Sequence, residues 1–284
     1  MLIEFQYAVM IDSGDNPDEL LDPIAYLIRS KNRLRVLETL TESIPKPGLD
    51  PPGYEPRELQ HQTEASEATV NRILNEFQER GWAERDTAGR YTATALGQGI
   101  AIGITPIIDS MEAIHHLGEA LSILPLNELS IDLGHFRDAT VREPQGPQPV
   151  DFGEYLSDVL DGCSSYYFLT YALGPPNIEG VDFTELDQVM ILAEHTIDYQ
   201  GAATGQTPRE QIETGDEVYS YHGHIPCNIM ICDETVIFEN GQVDGIQVGT
   251  AIESQNETVR NWAFEVFDRY REAAEEITLE DLDP

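Results

Sequence analysis

Residues 63–97 read TEASEATVNRILNEFQERGWAERDTAGRYTATALG, and their pattern decides the fold of the first third of the chain. Val70, Ile73, Leu74 and Phe77 fall at i, i+3, i+4 and i+7, the apolar stripe of a helix lying on a core. Ser66 precedes that stripe as an N-cap, and Gly81 follows it as a residue suited to a left-handed C-terminal cap. Glu67, Thr69, Asn71, Arg72 and Asn75 are left on other faces. Upstream, Glu55-Pro56 opens a shorter helix carrying Leu59, and Thr63-Glu64-Ala65 forms the turn between the two. Downstream, Trp82 to Asp86 and Arg90 to Thr94 read as short strands joined at Thr87-Ala88-Gly89. Helix, turn, capped helix and hairpin in that order predict a winged helix-turn-helix.

Further upstream, Asp22-Pro23 supplies an N-cap and a first-turn proline, with Ile24, Leu27 and Ile28 following at helical spacing. Ser30 is placed to cap a second helix, with Leu34, Leu37 and Leu40 inward and Arg33 and Arg35 elsewhere. Pro45-Lys46-Pro47-Gly48 and Pro51-Pro52-Gly53 mark a long loop. Beyond the hairpin, residues 95–124 return to a helical pattern. Ile100, Ile104, Ile107, Met111 and Ile114, continued by Leu121, repeat every 3.5 residues. That period suits a seam between subunits, whereas Pro106 and the glycines suit a kinked helix packed within one chain; both readings stay open. Pro144 to Pro149 is the linker candidate.

The remainder alternates patterns: 152–160 helical, 165–173 strand, 183–193 helical, 196–203 extended and 217–221 strand. Residues 227–238 follow as strand broken at Asp233-Glu234, then 245–252 as strand and 257–276 as a closing helix. The fold class is therefore mixed, α+β or α/β, with an N-terminal winged helix-turn-helix, a linker helix and a C-terminal layered α/β domain. The expected divisions are an extension over 1–21, a winged helix over 22–97, a helical connector and linker over 98–150, and an effector or dimerisation domain over 151–284.

Sixteen basic residues against 52 acidic ones give a net charge of −36, and only Lys31 and Lys46 are lysines. Such an excess fits a protein of multimolar salt, where screening falls to about 3 Å and repulsion costs little; a halophilic archaeon is the implied host. The excess is uneven. Between Asp22 and Ile100 ten basic residues meet twelve acidic ones, leaving −2, and the rest of the chain carries −34. A surface that meets phosphates requires such an exemption. In a winged helix the capped helix enters the major groove with its N-terminal residues at base edges. Thr69, Asn71 and Arg72 are then the expected readers, because Asn pairs with adenine and Arg with guanine. Ser66 is expected at a phosphate beside the helix N-terminus. Arg85 and Arg90 flank the wing as backbone contacts, and Arg57 and Arg35 are further phosphate candidates. The competing reading of each arginine is a solvated ion pair with neighbouring carboxylates.

Residues 26–97 resemble the winged-helix domains of haloarchaeal regulators. The region after it, with LPLNELSIDLGHFRDATV and the closing NWAFEVFDRYREAA, resembles the archaeal family named for the middle domain of a methanogenesis regulatory protein. The resemblance implies regulation through a DNA-bound homodimer, Ser66, Thr69, Asn71 and Arg72 being the positions that match. The insertion at Pro45 to Pro52 departs from that pattern, as does the acidic Glu67 at the start of the reading helix.

Other classes find less support. No apolar run reaches the ~18 residues of a spanning helix, and the start lacks a basic secretory segment, so the expectation is a cytoplasmic protein with no membrane partner. Cys163, Cys227 and Cys232 are too few for a disulfide scaffold and fit a reducing compartment. His222 and His224 with Cys227 and Cys232 suggest a metal, but a continuous strand sends the two cysteines to opposite faces, so neither metal nor cofactor is expected. Redox sensing by these cysteines is ranked equally low, since nothing basic lies nearby. Tyr166, Tyr167, Phe168 and Tyr171 could line a small-molecule effector cavity, although a central strand uses the same residues. Nucleophile elbow, Walker loop and dinucleotide fingerprint are absent, and the expectation is no enzyme. A DNA-binding regulator thus leads, ahead of a protein-binding adaptor built on a winged helix and of an α/β enzyme.

Overall fold

The computed structural model describes residues 17–42, 53–143, 152–171, 186–197, 207–240 and 250–282. The proline-rich loop at 45–52 and the linker at 144–149 lie outside them. The chain divides into two compact units, residues 1–107 and 108–284.

In the first unit α1 (Pro17–Ile28), α2 (Lys31–Thr41), α3 (Pro56–Thr63) and α4 (Glu67–Glu79) precede an antiparallel hairpin, β1 (Ala83–Arg85) and β2 (Tyr91–Ala93). Leu27, Leu37, Leu59, Val70, Ile73, Leu74 and Phe77 make the core, none more than 1% exposed. The stripe read from α4 is therefore the buried face. Trp82 closes that core, its ring 5.5 Å from Tyr26 and 5.4 Å from Phe77. One expectation is corrected. Helix α1 begins at Pro17, so Asp22 and Pro23 lie inside it. Pro23 is the seventh residue of the helix, past the four leading N–H groups that have no partner, so it removes one helical hydrogen bond.

Helix α5 (Ala95–Leu117) passes from the first unit into the second and continues as a 3₁₀ turn, Gly118–Ile123. Ala101 and Ile104 are buried in its first half and Ala113 and Leu117 in its second. Leu96, Ile102, Ile107 and Met111 are exposed, by 56%, 75%, 44% and 56%. Ile104 is thus removed from the expected seam, and Ile107 and Met111 remain on its outer face.

The second unit is built on an eight-stranded mixed sheet of order β10-β6-β5-β4-β7-β8-β9-β3. Its strands are β3 (Thr140–Arg142), β4 (Ser165–Thr170), β5 (Asp187–Ala193), β6 (Glu217–Tyr221), β7 (Asn228–Cys232), β8 (Thr235–Glu239), β9 (Ala251–Ser254) and β10 (Glu275–Glu276). Neighbours β4, β5 and β6 run parallel, and β4 with β7, β8, β9 and β3 are antiparallel in sequence along the sheet. One face carries Leu169, Ile191, Ile229, Ile231, Phe238 and Ile252, packed against α9 (Glu257–Glu272) through Trp262, Val266 and Phe267. The other carries Phe168, Met190, Leu192, Met230 and Ile237, with Tyr155 and Leu160 of α6 (Phe152–Leu160). Short helices α7 (Glu194–Ile197) and α8 (Pro208–Thr214) complete the layer.

Several element readings change. Residues 187–193 form strand β5 where a helix is expected, and Thr196 and Ile197 are helical where extension is expected. The closing helix ends at Glu272, and Glu275–Glu276 pair with β6. The last of the expected strands occupies Ala251–Ser254. Helix α8 and strand β3 have no counterpart in the sequence reading, although Thr207-Pro208-Arg209-Glu210 carries the capping box that starts α8. The cysteine reading is corrected too: Cys163 and Cys232 are joined by a disulfide, 69 residues apart, and Cys227 is buried and free.

Candidate nucleic-acid interface

Helix α4 is held at both ends by local chemistry. Ser66 Oγ accepts from the Thr69 backbone N–H at 3.2 Å and lies 2.8 Å from Thr69 Oγ1. The preceding Glu64 takes a left-handed φ of 55° that turns the chain between α3 and α4. At the far end Gly81 has φ +71°, and the N–H groups of Gly81 and Trp82 return to the carbonyls of Gln78 and Phe77 at 3.0 and 2.8 Å. With Val70, Ile73, Leu74 and Phe77 inward, Glu67, Ala68, Arg72, Asn75, Gln78 and Glu79 are exposed, and Thr69 and Asn71 are half-buried at the flank.

Arg72 lies on the exposed face, its side chain 54% accessible, and donates to Glu76 one turn on at 2.8 Å. Glu76 is a shared acceptor. It also takes the Tyr26 hydroxyl and, at 3.3 Å, Arg33. The Tyr26 hydroxyl, followed by Arg72, holds the Glu76 carboxyl below its usual range, and burial, then Glu76, pushes Tyr26 up to about 12. Arg33 and Arg80 stack over the Tyr26 ring at 3.8 and 4.0 Å. Both are committed to holding α1, α2 and α4 together, which leaves Arg72 as the arginine of the outward face of α4.

The hairpin presents two arginines. Arg90 donates its backbone N–H and its Nε to the Asp86 carboxylate at 2.8 and 3.1 Å, which holds Asp86 below the usual carboxylate range. Arg85 Nε donates to the Gly89 carbonyl at 3.2 Å, with its guanidinium 5.3 Å from the Tyr91 ring. Gly89 has φ +87°, and a Cβ there would stand 3.2 Å from the Arg85 guanidinium, so this turn suits glycine on two counts. Tyr54 bonds in both directions with Tyr91, at 2.8 and 2.9 Å, adding a third strand-like edge to the wing.

The remaining two candidates separate. Arg57 is exposed on the first turn of α3, and among the described residues it has no recorded ion pair. Arg35 stands 3.6 Å from Glu64 in a cleft of about 450 Å³ shared with Glu38, Glu42 and Gln62. Three carboxylates around one guanidinium repel a phosphate. The structure therefore brings Ser66, Thr69, Asn71 and Arg72 onto one half-helix and places Arg85 and Arg90 on the wing. Exposed Ala68, Asn75 and Gln78 extend the same surface, and their positions off the apolar stripe were the available signal.

Residues 21–116 match the family described as HVO_A0261 N-terminal domain. The match ends before the stretches that carry the methanogenesis-regulator resemblance. Among curated proteins no sequence matches. Solved structures with weak likeness include TrmBL2, an archaeal chromatin protein, at 15% identity and a TM-score of 0.35, covering 92% of this chain and 100% of that one. The phospholipase D family member Nuc of Salmonella typhimurium, at 13% identity and a TM-score of 0.38, covers 49% of this chain and 99% of its own. A MarR family protein of Mycobacterium tuberculosis follows at 19% identity, 42% and 82% coverage and a TM-score of 0.28. All three scores are low, and none assigns an activity to this chain. Among the described residues no helix is long and apolar enough to cross a membrane.

Proposed function

We propose that the chain is a DNA-binding transcriptional regulator whose α4 reads the major groove and whose hairpin grips the adjoining backbone. The observation that carries this reading is the outward half of α4: a capped N-terminus, Thr69 and Asn71 at its flank and Arg72 exposed beside them. Asn71 offers the donor–acceptor pair that adenine matches, and Arg72 the fork that guanine matches. Exposed Arg85, Arg90 and Arg57 supply sequence-independent contacts. The near-neutral balance of residues 22–100 within a −36 chain supports the same surface.

The regulator acts as a homodimer in the cytoplasm of a salt-adapted cell, and no enzymatic step is assigned to it. From Tyr91 to Ile108 the sequence carries no charged residue, though Leu96, Ile102 and Ile107 in that stretch are exposed. Two strongly acidic chains repel least where neither is charged, so this part of α5 is the natural seam. The sheet unit takes the effector or shares in the pairing. A protein-binding adaptor is the second reading. It is favoured by the carboxylates already paired with Arg72 and Arg90.

A titration of the full chain against duplex DNA from its own upstream region separates the two. The regulator reading expects sequence-dependent binding at molar KCl that Asn71→Ala and Arg72→Ala each weaken by about 1–3 kcal/mol. Equal, negligible affinity for upstream and scrambled duplexes at every salt concentration supports the adaptor.

A further inference from the structure

Cys163 lies at the entry to β4 and Cys232 at the end of β7, their Cα atoms 6.1 Å apart, within the normal range for a bridge. The two sulfurs differ in access: Cys163 is half-buried, whereas Cys232 is 4% exposed and belongs to the core under α6. A second fastening joins the same two segments. The two-residue turn between β7 and β8 places Asp233 at φ +47°. Its carboxylate accepts the backbone N–H groups of Ser164 and Ser165 at 3.1 and 3.2 Å and their hydroxyls at 3.4 and 3.3 Å. This clasp contains no sulfur. Its hydrogen bonds therefore do not depend on the disulfide.

Against the sequence expectation of little redox role, and because the bridge itself brings the two sulfurs together, we propose that Cys163 and Cys232 form a thiol–disulfide redox site that closes and opens within the folded sheet unit, Cys163 being the sulfur that meets the oxidant. The co-reactant is a small neutral hydroperoxide. Asp161, Asp233 and Glu234 flank the two cysteines in sequence, and their charge turns away anionic disulfides. The Cys163 thiolate attacks the peroxide oxygen, the O–O bond breaks, and Cys163 becomes a sulfenic acid as an alcohol or water leaves. The Cys232 thiol then displaces hydroxide from that sulfur, forming the S–S bond and releasing water. The two thiols lose two electrons in all, and the peroxide is reduced by two. Reduction by a dithiol reverses the pair to two thiols. Cys227 takes no part, since it sits in the opposite core and burial pushes its thiol well up.

Thiols of the full chain are counted by alkylation and mass spectrometry after equilibration across a dithiothreitol series, with far-UV circular dichroism recorded at each point. The proposal expects one thiol at the oxidising end, three at the reducing end, and an unchanged helical signal throughout. Hydrogen peroxide should restore one thiol. In Cys232→Ser it should leave a dimedone-reactive Cys163, whereas Cys163→Ser should give no dimedone adduct. Asp233→Gly suits the left-handed backbone and removes the clasp carboxylate; it should move the midpoint about tenfold toward the dithiol, because the sulfurs lose part of their effective concentration. A bridge that reduces only as the helical signal is lost is a fixed staple and overturns the proposal. So do three thiols persisting in peroxide, or an unmoved midpoint in Asp233→Gly.

Discussion

Arg72 occupies the one position of α4 where an arginine is outward-facing, exposed and within one helical turn of Asn71. Its Glu76 partner bears on affinity. When phosphate or guanine takes the guanidinium, Glu76 keeps the Tyr26 hydroxyl and Arg33, so its charge stays satisfied. Replacing Arg72 by Ala should therefore weaken specific binding by about 1–3 kcal/mol and relax preference at one base pair, read by anisotropy on a panel of single-base variants. Arg57→Ala should weaken all sequences alike and make the slope of log K against log salt shallower by about 1. A base-specific effect of Arg57 would remove it from the backbone. Glu239 gives a prediction about stability. Its carboxyl accepts from Asn228 at 2.9 Å, yet burial raises its pKa above the ordinary 4.5. A raised carboxylate pKa means the folded state favours the protonated form, so stability falls as pH rises through the folded value. Glu239→Gln keeps the acceptor without the charge. It should be more stable than the native chain in urea at pH 7, with the gap closing as pH drops below about 4.5. A gap independent of pH would contradict that account.

Helix α4 was legible because every local signal agrees: cap, apolar stripe, left-handed glycine and the tryptophan that follows. Ser66 separates stability from binding at this scale. Ser66→Ala should destabilise the unit by about 1 kcal/mol through the lost cap, while Ser66→Asp retains the cap and places a carboxylate against phosphate. Melting curves should thus distinguish only Ala from the native residue, and DNA titrations should show Asp as the more damaging change. Strand β5 hides its strand character in the sequence for a physical reason. It lies between two parallel neighbours with both faces covered, so Val189 to Ala193 is apolar throughout and the two-residue alternation that marks a strand disappears. The β7–β8 hairpin was legible because Asp233-Glu234 interrupts an otherwise buried run. The disulfide was not legible, since its halves lie 69 residues apart and only the β4–β7 pairing brings them together. Arg35 shows the same limit in part: Glu64 lies 29 residues away and is adjacent only in the folded unit, whereas Glu38 and Glu42 stand at i+3 and i+7 along its own helix.

Across the whole molecule, charge and apolar surface are partitioned. Residues 22–100 are close to neutral, the rest of the chain is saturated with carboxylate, and α5 has an exposed apolar run without charge. A symmetric dimer through that run would place Ile107 near its equivalent, so Ile107→Glu should convert dimer to monomer in light scattering at molar KCl. An unchanged mass would remove α5 from the interface. The arginine–carboxylate pair on the wing shapes the salt response. Asp86, released when Arg90 turns to DNA, attracts a cation that offsets counterions freed from DNA, so the affinity should fall with salt less steeply than about −0.9 per phosphate contact. That α4 of an acidic chain reads duplex DNA is tested by anisotropy of its labelled upstream duplex titrated with the full chain at molar KCl. Saturable binding is expected, displaced by an unlabelled upstream duplex but not by a scrambled one, and weakened by about 1–3 kcal/mol in Arg72→Ala. Displacement by both duplexes alike, or an Arg72→Ala curve that overlays the native one, would contradict it.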